Sequence, residues 1–183
     1  MLGSAKVLVT GGVRSGKSTH AERLLAGDVS VDYVAPGPVP TADDADWAAR
    51  VAAHRSRRPA SWTTHETRDL ASVLGSATAP VLIDCIGTWL TAVVDAAALW
   101  EAPADEVHAV VLGELEPVVA ALVAAPVGVV LVTNEVGLGV VPAHRSGRLF
   151  RDLLGTVNQR VGAACDEVHL VVAGRVLRLP DPL

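Results

Sequence analysis

A glycine-rich segment near the start of the chain has the spacing of a phosphate-binding loop. The stretch "GGVRSGKST" (11–19) fits the pattern GxxxxGK(S/T), with Gly11 and Gly16 framing the loop and Lys17 and Ser18 closing it. Such a loop needs a buried strand before it and a helix after it, so that backbone N–H groups and a helix N-terminus face the phosphates. Lys17 would then reach the β- and γ-phosphates, and the Ser18 hydroxyl would join the coordination shell of Mg²⁺. The alternative is a glycine-rich turn that binds no ligand.

Two acidic residues follow apolar stretches that are typical of buried strands. "PVLIDC" contains Asp84, at the position from which a second acidic group helps to hold the metal in nucleotide-binding domains of this kind. Asp84 could instead cap a helix that begins near Gly87. In "VTNEVGLG" (132–139), Glu135 could act as a general base, polarise a substrate hydroxyl, or merely terminate the strand.

A cluster of positive charge surrounds one histidine in "HRSRRPASW" (54–62). The neutral imidazole of His54 could attack a phosphorus atom, and the nearby guanidinium groups could hold a phosphate leaving group. The spacing also has a simpler interpretation. The arginines from Arg50 to Arg58 precede Pro59, which ends a helix, so they could just complement the negative end of that helix. Spacing alone favours the simpler interpretation.

The remaining histidines and the two cysteines have no spacing typical of a metal site or a nucleophile. The residues concerned are His20, His65, His108, His144, His169, Cys85 and Cys165. Two cysteines so far apart also give no disulfide framework, and we expect both to be small core residues.

Apolar β-branched stretches alternate with helical patterns along the whole chain. The predicted strands are 6–10, 31–35, 80–84, 128–133, 167–172 and 175–179, and the predicted helices are 17–26, 43–56, 67–75, 88–99, 105–124 and 146–164. This alternation predicts an α/β fold with a doubly wound, mostly parallel sheet. The tight connection around Gly174 predicts that the last two strands form an antiparallel hairpin. No linker divides the chain, so we expect residues 1–183 to form one domain.

Composition and charge exclude several classes of protein. A formal net charge of −5 and an aromatic content of 3% argue against a nucleic-acid-binding surface. The longest uncharged stretch, residues 117–132, is shorter than the ~20 residues that a membrane-spanning helix needs, and Pro126 and Gly128 interrupt it. The opening "MLGSAKVLVTGG" lacks the pattern of a signal peptide. We therefore expect a cytoplasmic protein without a membrane span.

Several segments together resemble one enzyme family. These are "VLVTGGVRSGKSTHAERL", "AARVAAHRSRRPASWTTHET", "LIDCIGTWL", "LVTNEVGLGVVP" and "RLFRDLLGTVNQRVGAACDEVHLVVAG". In this order they resemble the bifunctional adenosylcobinamide kinase / adenosylcobinamide-phosphate guanylyltransferase family of cobalamin biosynthesis, over nearly the whole chain. The resemblance implies a RecA-like P-loop fold and assembly as a homotrimer.

The resemblance also implies an activity and a site. ATP or GTP would phosphorylate the aminopropanol hydroxyl of adenosylcobinamide with Mg²⁺ present, and GMP from GTP would then pass through a guanylylated His54 to adenosylcobinamide phosphate. The catalytic residues that we expect are therefore His54, Lys17, Asp84 and Glu135. The metal ligands that we expect are Ser18 and Asp84. The expected nucleotide contacts are Gly11, Gly12, Val13, Arg14, Ser15, Gly16, Lys17, Ser18, Ala35, Pro36, Gly37, Arg55, Ser56, Arg57, Arg58, Glu66 and Asp84.

Two other classes of function compete with this interpretation. A generic P-loop kinase for a small molecule or a nucleotide would use Lys17, Ser18 and Asp84 and leave His54 idle. A nucleotide-dependent switch or nucleic-acid-binding module would place the arginines on phosphates, although the acidic net charge counts against it. A covalent nucleotide on His54 would exclude the generic kinase. An absence of salt-sensitive nucleic-acid binding would exclude the nucleic-acid-binding module.

Overall fold

The computed structural model describes residues 2–39, 44–56 and 58–181, with the side chain of Arg50 also left out. The strands are β1 (Lys6–Gly11), β2 (Asp32–Val34), β3 (Thr63–His65), β4 (Val81–Asp84), β5 (Val129–Val132), β6 (Glu167–Val172) and β7 (Arg175–Arg178). The helices are α1 (Lys17–Leu24), α2 (Ala45–Ser56), α3 (Leu70–Ser76), α4 (Ile86–Ala97), α5 (Ala104–Ala124) and α6 (Arg145–Ala163).

The strands form one seven-stranded sheet in the order β3-β2-β4-β5-β1-β6-β7. Neighbouring strands are parallel except β6 and β7, which pair as an antiparallel hairpin. This arrangement confirms the predicted fold class, a P-loop domain with a mostly parallel sheet and a C-terminal hairpin. Because the parallel strands share one direction, the loops that follow β1, β2, β4 and β5 meet at the same edge of the sheet.

The central strands are buried on both faces, which explains their nearly continuous apolar sequences. Along β1, Leu8 packs with residues of α3, α4, α5 and α6 on one face of the sheet. Val7 and Val9 point to the other face, where they pack with Ala21 and Leu25 of α1 and the segment that follows it. The two helical layers fix the sheet between them, so the strand ends that carry the loops are held rigidly.

Strand β3 was not predicted from the sequence. It is only three residues long, its burial pattern is mostly exposed, and it lies at the edge of the sheet beside β2. Its sequence, "TTH", has no apolar run, so the pairing with β2 depends on the tertiary structure rather than on local hydrophobicity. The other elements lie where they were predicted, and their ends differ by a few residues.

Helix α5 is long and apolar enough to cross a membrane by length and composition. However, Val107, Val111, Leu115, Val118 and Leu122 are buried in the protein interior. The core helix of an α/β protein passes the same test, and we interpret α5 as such a helix. The predicted break at residues 126–128 is confirmed, because α5 ends at Ala124 and β5 begins at Val129.

The C-terminal hairpin holds the glycine-rich loop in place. The N–H of Gly174, at the hairpin turn, donates a hydrogen bond to the carbonyl oxygen of Ser15 at 2.8 Å. Gly11 pairs with Val171 of β6, and a Cβ atom at position 11 would collide with the Val171 carbonyl oxygen. The close approach of β6 therefore requires glycine at the first position of the loop.

Candidate active site

The predicted phosphate-binding loop connects β1 to α1, as the chemistry requires. Gly16 is the N-cap of α1 and adopts a left-handed conformation with φ of 97°, which favours glycine. The Lys17 side chain is only 6% exposed, and its Nζ atom donates a hydrogen bond to the Gly12 carbonyl oxygen at 3.1 Å. The hydrogen bond holds the Lys17 ammonium group next to the loop, where it can bind a phosphate.

A cavity of about 300 Å³ opens beside this loop. Its walls come from the loop, from α2, from α4 and from the segments that follow β2, β3, β4 and β5. The lining residues are Lys17, Ser18, Tyr33, Ala35, Gly37, Pro38, Val39, Trp47, Val51, His54, Arg58, Glu66, Asp84, Cys85, Gly87, Thr88, Thr91, Asn134, Val136 and Phe150. The cavity therefore brings together predicted residues that are far apart in the sequence.

Asp84 lies at the centre of the polar contacts in this cavity. Its Oδ2 atom accepts a hydrogen bond from the Tyr33 hydroxyl at 3.2 Å and lies 3.4 Å from Nδ1 of His54. Burial alone would raise the pKa of Asp84, but hydrogen bonds from His54, Ser18 and Tyr33 and the attraction of His54 outweigh it and lower this pKa. Asp84 is therefore an ionised carboxylate despite its burial.

The Asp84 carboxylate does not cap the following helix. Helix α4 begins at Ile86 with Cys85 as its N-cap residue, and the Thr88 side chain completes the cap by accepting from the Cys85 backbone N–H. Asp84 instead points to His54 and Ser18. The contact with Nδ1 favours the His54 tautomer that carries its proton on Nδ1, which leaves the lone pair on Nε2.

The arginines of the basic cluster separate into different environments. The guanidinium carbon of Arg58 lies 3.4 Å from the centre of the Tyr33 ring, and Nη1 donates to Thr64 Oγ1 at 3.1 Å. Arg55 forms an ion pair with Glu66, and the two line a second cavity together with Arg58. Arg58 and Glu66 line both cavities. Arg57 lies outside the described residues.

Several other predicted contacts lie outside the cavity walls. Pro36 and the loop residues Gly11, Gly12, Val13, Arg14, Ser15 and Gly16 are not among the lining residues. Ser56 is exposed, and its hydroxyl donates to the Ala53 carbonyl oxygen. The Glu135 carboxylate accepts a hydrogen bond from the N–H of Gly137 in its own loop at 2.5 Å, so it folds back on this loop. Of the neighbouring residues, Asn134 and Val136 face the cavity instead.

Sequence reasoning missed several residues that form the site. Trp47 of α2 donates a hydrogen bond from Nε1 to the Pro38 carbonyl oxygen at 2.9 Å and packs on Gly37, so it ties the helix that carries His54 to the loop after β2. Tyr33 contacts both Asp84 and Arg58. The one available signal for Tyr33 was its place in an apolar strand directly before the "APG" turn.

The oxygen atoms of Ser18 and Asp84 fit the chemistry of Mg²⁺. Among the described residues no group of three or more His, Cys, Asp or Glu side chains could hold a metal ion. Mg²⁺ is instead commonly bound by one or two protein oxygen ligands, with water and phosphate oxygens filling the remaining positions. Ser18 donates a hydrogen bond to Asp84, so a hydroxyl and a carboxylate lie together and would hold such an ion.

Comparisons with known proteins show which family the chain resembles. A family model described as "Cobinamide kinase / cobinamide phosphate guanyltransferase" matches residues 7–179. The "Bifunctional adenosylcobalamin biosynthesis protein CobU" of Salmonella typhimurium is 43% identical over 178 residues, which cover 92% of this chain and 96% of that protein. The protein of the same description from Escherichia coli is 40% identical over 181 residues, again covering 92% and 96% of the two chains.

A third relative extends the match to another genus. The "Bifunctional adenosylcobalamin biosynthesis protein CobP" of Pseudomonas aeruginosa is 39% identical over 181 residues, covering 96% of this chain and 95% of that protein. Among solved structures, an ATPase from a type III secretion system of pathogenic bacteria aligns with a TM-score of 0.49 at 13% identity, covering 91% of this chain and 51% of that chain. The family match and the relatives, which agree over nearly the full length, establish that the chain belongs to the cobinamide kinase / cobinamide phosphate guanyltransferase family.

Proposed function

We propose that this cobinamide kinase and cobinamide-phosphate guanylyltransferase carries out both reactions in the cavity beside the phosphate-binding loop, with His54 as the covalent carrier of GMP. The observation that carries the proposal is the contact of His54 Nδ1 with Asp84 Oδ2 at 3.4 Å, in a cavity that Lys17 and Ser18 also line. A generic P-loop kinase does not need such a histidine, and the family match decides against it.

In the first step, the hydroxyl oxygen of the aminopropanol arm attacks the γ-phosphorus of ATP or GTP, and the hydroxyl proton is released to solvent. The bond between the γ-phosphorus and the β,γ-bridging oxygen breaks, and the nucleoside diphosphate leaves. Lys17 stabilises the negative charge on the transferred group. When bound at Ser18 and Asp84, Mg²⁺ would neutralise charge on the β- and γ-phosphates.

In the second step, Nε2 of His54 attacks the α-phosphorus of GTP, and pyrophosphate leaves as the bond to the α,β-bridging oxygen breaks. The Asp84 carboxylate holds the Nδ1–H of the imidazole and stabilises the positive charge that develops on the ring. Arg58 lies beside the same cavity, where its guanidinium group can bind the departing phosphates.

In the third step, a phosphate oxygen of adenosylcobinamide phosphate attacks the same phosphorus. The bond between phosphorus and Nε2 breaks, so GMP passes to the substrate and His54 is regenerated. Two successive in-line displacements predict net retention of configuration at the α-phosphorus. We assign no step to Glu135, because its carboxylate is turned toward Gly137.

The test of the covalent mechanism is incubation with Mg²⁺ and GTP labelled at the α-phosphorus, followed by denaturation. We expect an acid-labile, base-stable label on the wild-type chain. His54→Ala should lose the label and the GDP-linked product but keep cobinamide phosphorylation, whereas Lys17→Ala should lose both activities by at least about a hundredfold. His108→Ala, on the distant helix α5, is the matched control and should label normally. A His54→Ala variant that forms product at the wild-type rate would refute the covalent mechanism.

The proposal has three further parts that concern the whole protein. Residues 1–183 act as one catalytic unit, so limited proteolysis should yield no shorter active fragment. The protein assembles as a homotrimer, as the family resemblance implies. It works in the cytoplasm, where ATP and GTP are available and where the unpaired Cys85 and Cys165 stay reduced; recovery of the activity in the membrane or extracellular fraction would contradict this.

A further inference from the structure

We propose that Tyr33 is a positioning residue for guanylyl transfer, which holds two charged groups of the cavity that His54 lines. Its hydroxyl fixes the Asp84 carboxylate and its ring face fixes the Arg58 guanidinium group. This inference rests on the proposed role of His54, and it assigns Tyr33 no contact with the nucleotide.

The hydroxyl contact defines which oxygen of Asp84 meets the imidazole. Both the Tyr33 hydroxyl, at 3.2 Å, and His54 Nδ1, at 3.4 Å, lie next to the same atom, Asp84 Oδ2. A carboxylate that accepts two hydrogen bonds from different directions cannot rotate without losing one of them. Without the hydroxyl of Tyr33, Asp84 could turn toward Ser18, and the orientation of the His54 ring would be less fixed.

The ring contact holds Arg58 close to the cavity. A guanidinium carbon 3.4 Å from the ring centre of Tyr33 is well within the range of a cation–π interaction. Among the described residues, the buried Nε atom of Arg58 has no hydrogen-bond partner. The Thr64 hydroxyl accepts from Nη1 and is the other contact that fixes this side chain.

Tyr33 itself has little freedom to move. It is 1% exposed on strand β2, which lies between the edge strand β3 and β4, the strand that ends in Asp84. Tyr33 is also the single tyrosine of the chain. Strand β2 thus holds Tyr33 in one position between the side chains of Asp84 and Arg58. Tyr33 alone therefore sets the distance between the carboxylate and the guanidinium group.

The experiment compares two variants that each remove one hydroxyl group. Tyr33→Phe deletes the hydroxyl on Asp84 and keeps the ring beneath Arg58, whereas Thr64→Val deletes the hydroxyl on Arg58 and leaves Asp84 untouched. We expect Tyr33→Phe to slow formation of the His54 adduct about tenfold at saturating GTP, the size of effect that losing one hydrogen bond to a charged group produces. The GTP concentration that gives half the maximal rate should change less than about twofold, because the hydroxyl does not contact nucleotide.

Thr64→Val should label within about twofold of the wild-type rate, since the ring still holds Arg58. Adduct formation by Tyr33→Phe at the wild-type rate would overturn the proposal while leaving the covalent mechanism intact. A general loss of folded protein would instead lower the labelled fraction without slowing the labelled molecules, so the rate constant separates the two causes.

A spectroscopic measurement tests the contact independently of activity. Protein that carries ¹³C at the ζ position of tyrosine gives one signal, because the chain has one tyrosine. We expect Asp84→Asn to shift this signal, since the charge next to the hydroxyl is removed, and His108→Ala, on the distant helix α5, to leave it in place. An unmoved signal in Asp84→Asn would contradict the contact. If wild-type protein takes up no label from GTP, the proposed role of His54 fails, and this signal still decides whether Tyr33 holds Asp84.

Discussion

At the level of single residues, the environment of Asp84 keeps its carboxylate ionised. The pKa of Asp84 is lowered, so the stability that its contacts contribute is present above its ordinary value of 3.8 and is lost as the pH falls through the lowered value. Asp84 therefore stays ionised throughout the neutral range. We therefore expect the Asp84 carboxylate to cause no change in the rate of guanylyl transfer between about pH 6 and about pH 8.

The two cysteines give a prediction about pH and reactivity. Burial raises the pKa of Cys165 to about 12, and burial together with the Asp84 charge also raises the pKa of Cys85. Because only the thiolate reacts, we expect both thiols in the folded protein to be alkylated by iodoacetamide far more slowly than the unfolded chain at about pH 8, with rates that rise roughly tenfold per pH unit.

Mass spectrometry after timed quenching measures this reaction. Protein in guanidinium chloride is the control, since both thiols are then exposed. Cys85 lines the cavity and Cys165 does not, so Mg²⁺ and GTP should slow the alkylation of Cys85 alone. Rapid reaction of Cys165 in the folded protein would contradict the predicted protection.

The site illustrates how far single residues can be predicted from sequence. Lys17 and Ser18 were found because one local segment contains their whole motif, and Asp84 was found because it ends a strongly apolar strand. Tyr33 and Trp47 were not found, since their importance comes from contacts with Asp84 and Pro38 that the fold creates. Spacing likewise could not separate Arg55, which pairs with Glu66, from Arg58, which stacks on Tyr33.

At the level of secondary structure, prediction succeeded where a residue pattern is local and strong. The buried strands β1, β4 and β5 are continuous apolar stretches, and the interruption after α5 is marked by Pro126 and Gly128. Helix ends were less accurate, because they depend on capping. Helix α3, for example, begins at Leu70 rather than at residue 67, since Asp69 accepts a hydrogen bond from the Ser72 N–H and caps it.

Two histidines that sequence spacing left without a role join α1 to the hairpin. His20 Nε2 lies 2.9 Å from Nδ1 of the buried His169, and His169 Nε2 lies 2.8 Å from a carboxylate oxygen of Glu167. The Glu167 carboxylate also pairs with Arg178 of β7. This chain of polar contacts supplements the bond between Gly174 and Ser15, so the hairpin contacts the phosphate-binding segment at two separate places.

The histidine pair predicts a loss of stability in acid. Burial, followed by the positive charges of His169, Arg178 and Arg23, lowers the pKa of His20 from its ordinary value of 6.5. The unfolded chain then binds a proton at a higher pH than the folded chain does. The free energy of unfolding therefore falls as the pH drops from 6.5 toward the lowered value, and levels off below it.

Urea unfolding at about pH 7.5 and about pH 5 measures this effect in the wild type and in His20→Gln. Glutamine keeps an N–H donor for His169 but does not titrate, so the variant should lose less stability on acidification. Groups distant from His20 titrate alike in both proteins and cancel in the comparison. Equal losses in the two proteins would show that His20 does not contribute.

At the level of the whole molecule, apolar side chains are exposed near the carboxyl ends of the strands, where the cavity lies. In the loop between β5 and α6, Leu138 is 88% exposed and Val140 is 95% exposed, while Val136 of the same loop lines the cavity. Adjacent exposed apolar residues of this kind are typical of a surface that another molecule covers. A contact between subunits at this loop would extend the shallow cavity so that it could enclose a corrinoid.

The family resemblance implies a homotrimer, and we expect its assembly to depend on this loop. Light scattering over a range of concentrations should give three times the mass of one chain for the wild type, and a smaller species for the double variant Leu138→Glu/Val140→Glu, because two charges cannot be buried in an apolar interface without a large cost. Val29→Glu is the matched control: Val29 is 87% exposed but lies before β2, at the opposite edge of the sheet. It should remain trimeric and active. A wild-type monomer with full activity would refute both the assembly and the shared cavity, whereas dissociation of the loop variant with loss of corrinoid phosphorylation would place the substrate at the boundary between subunits.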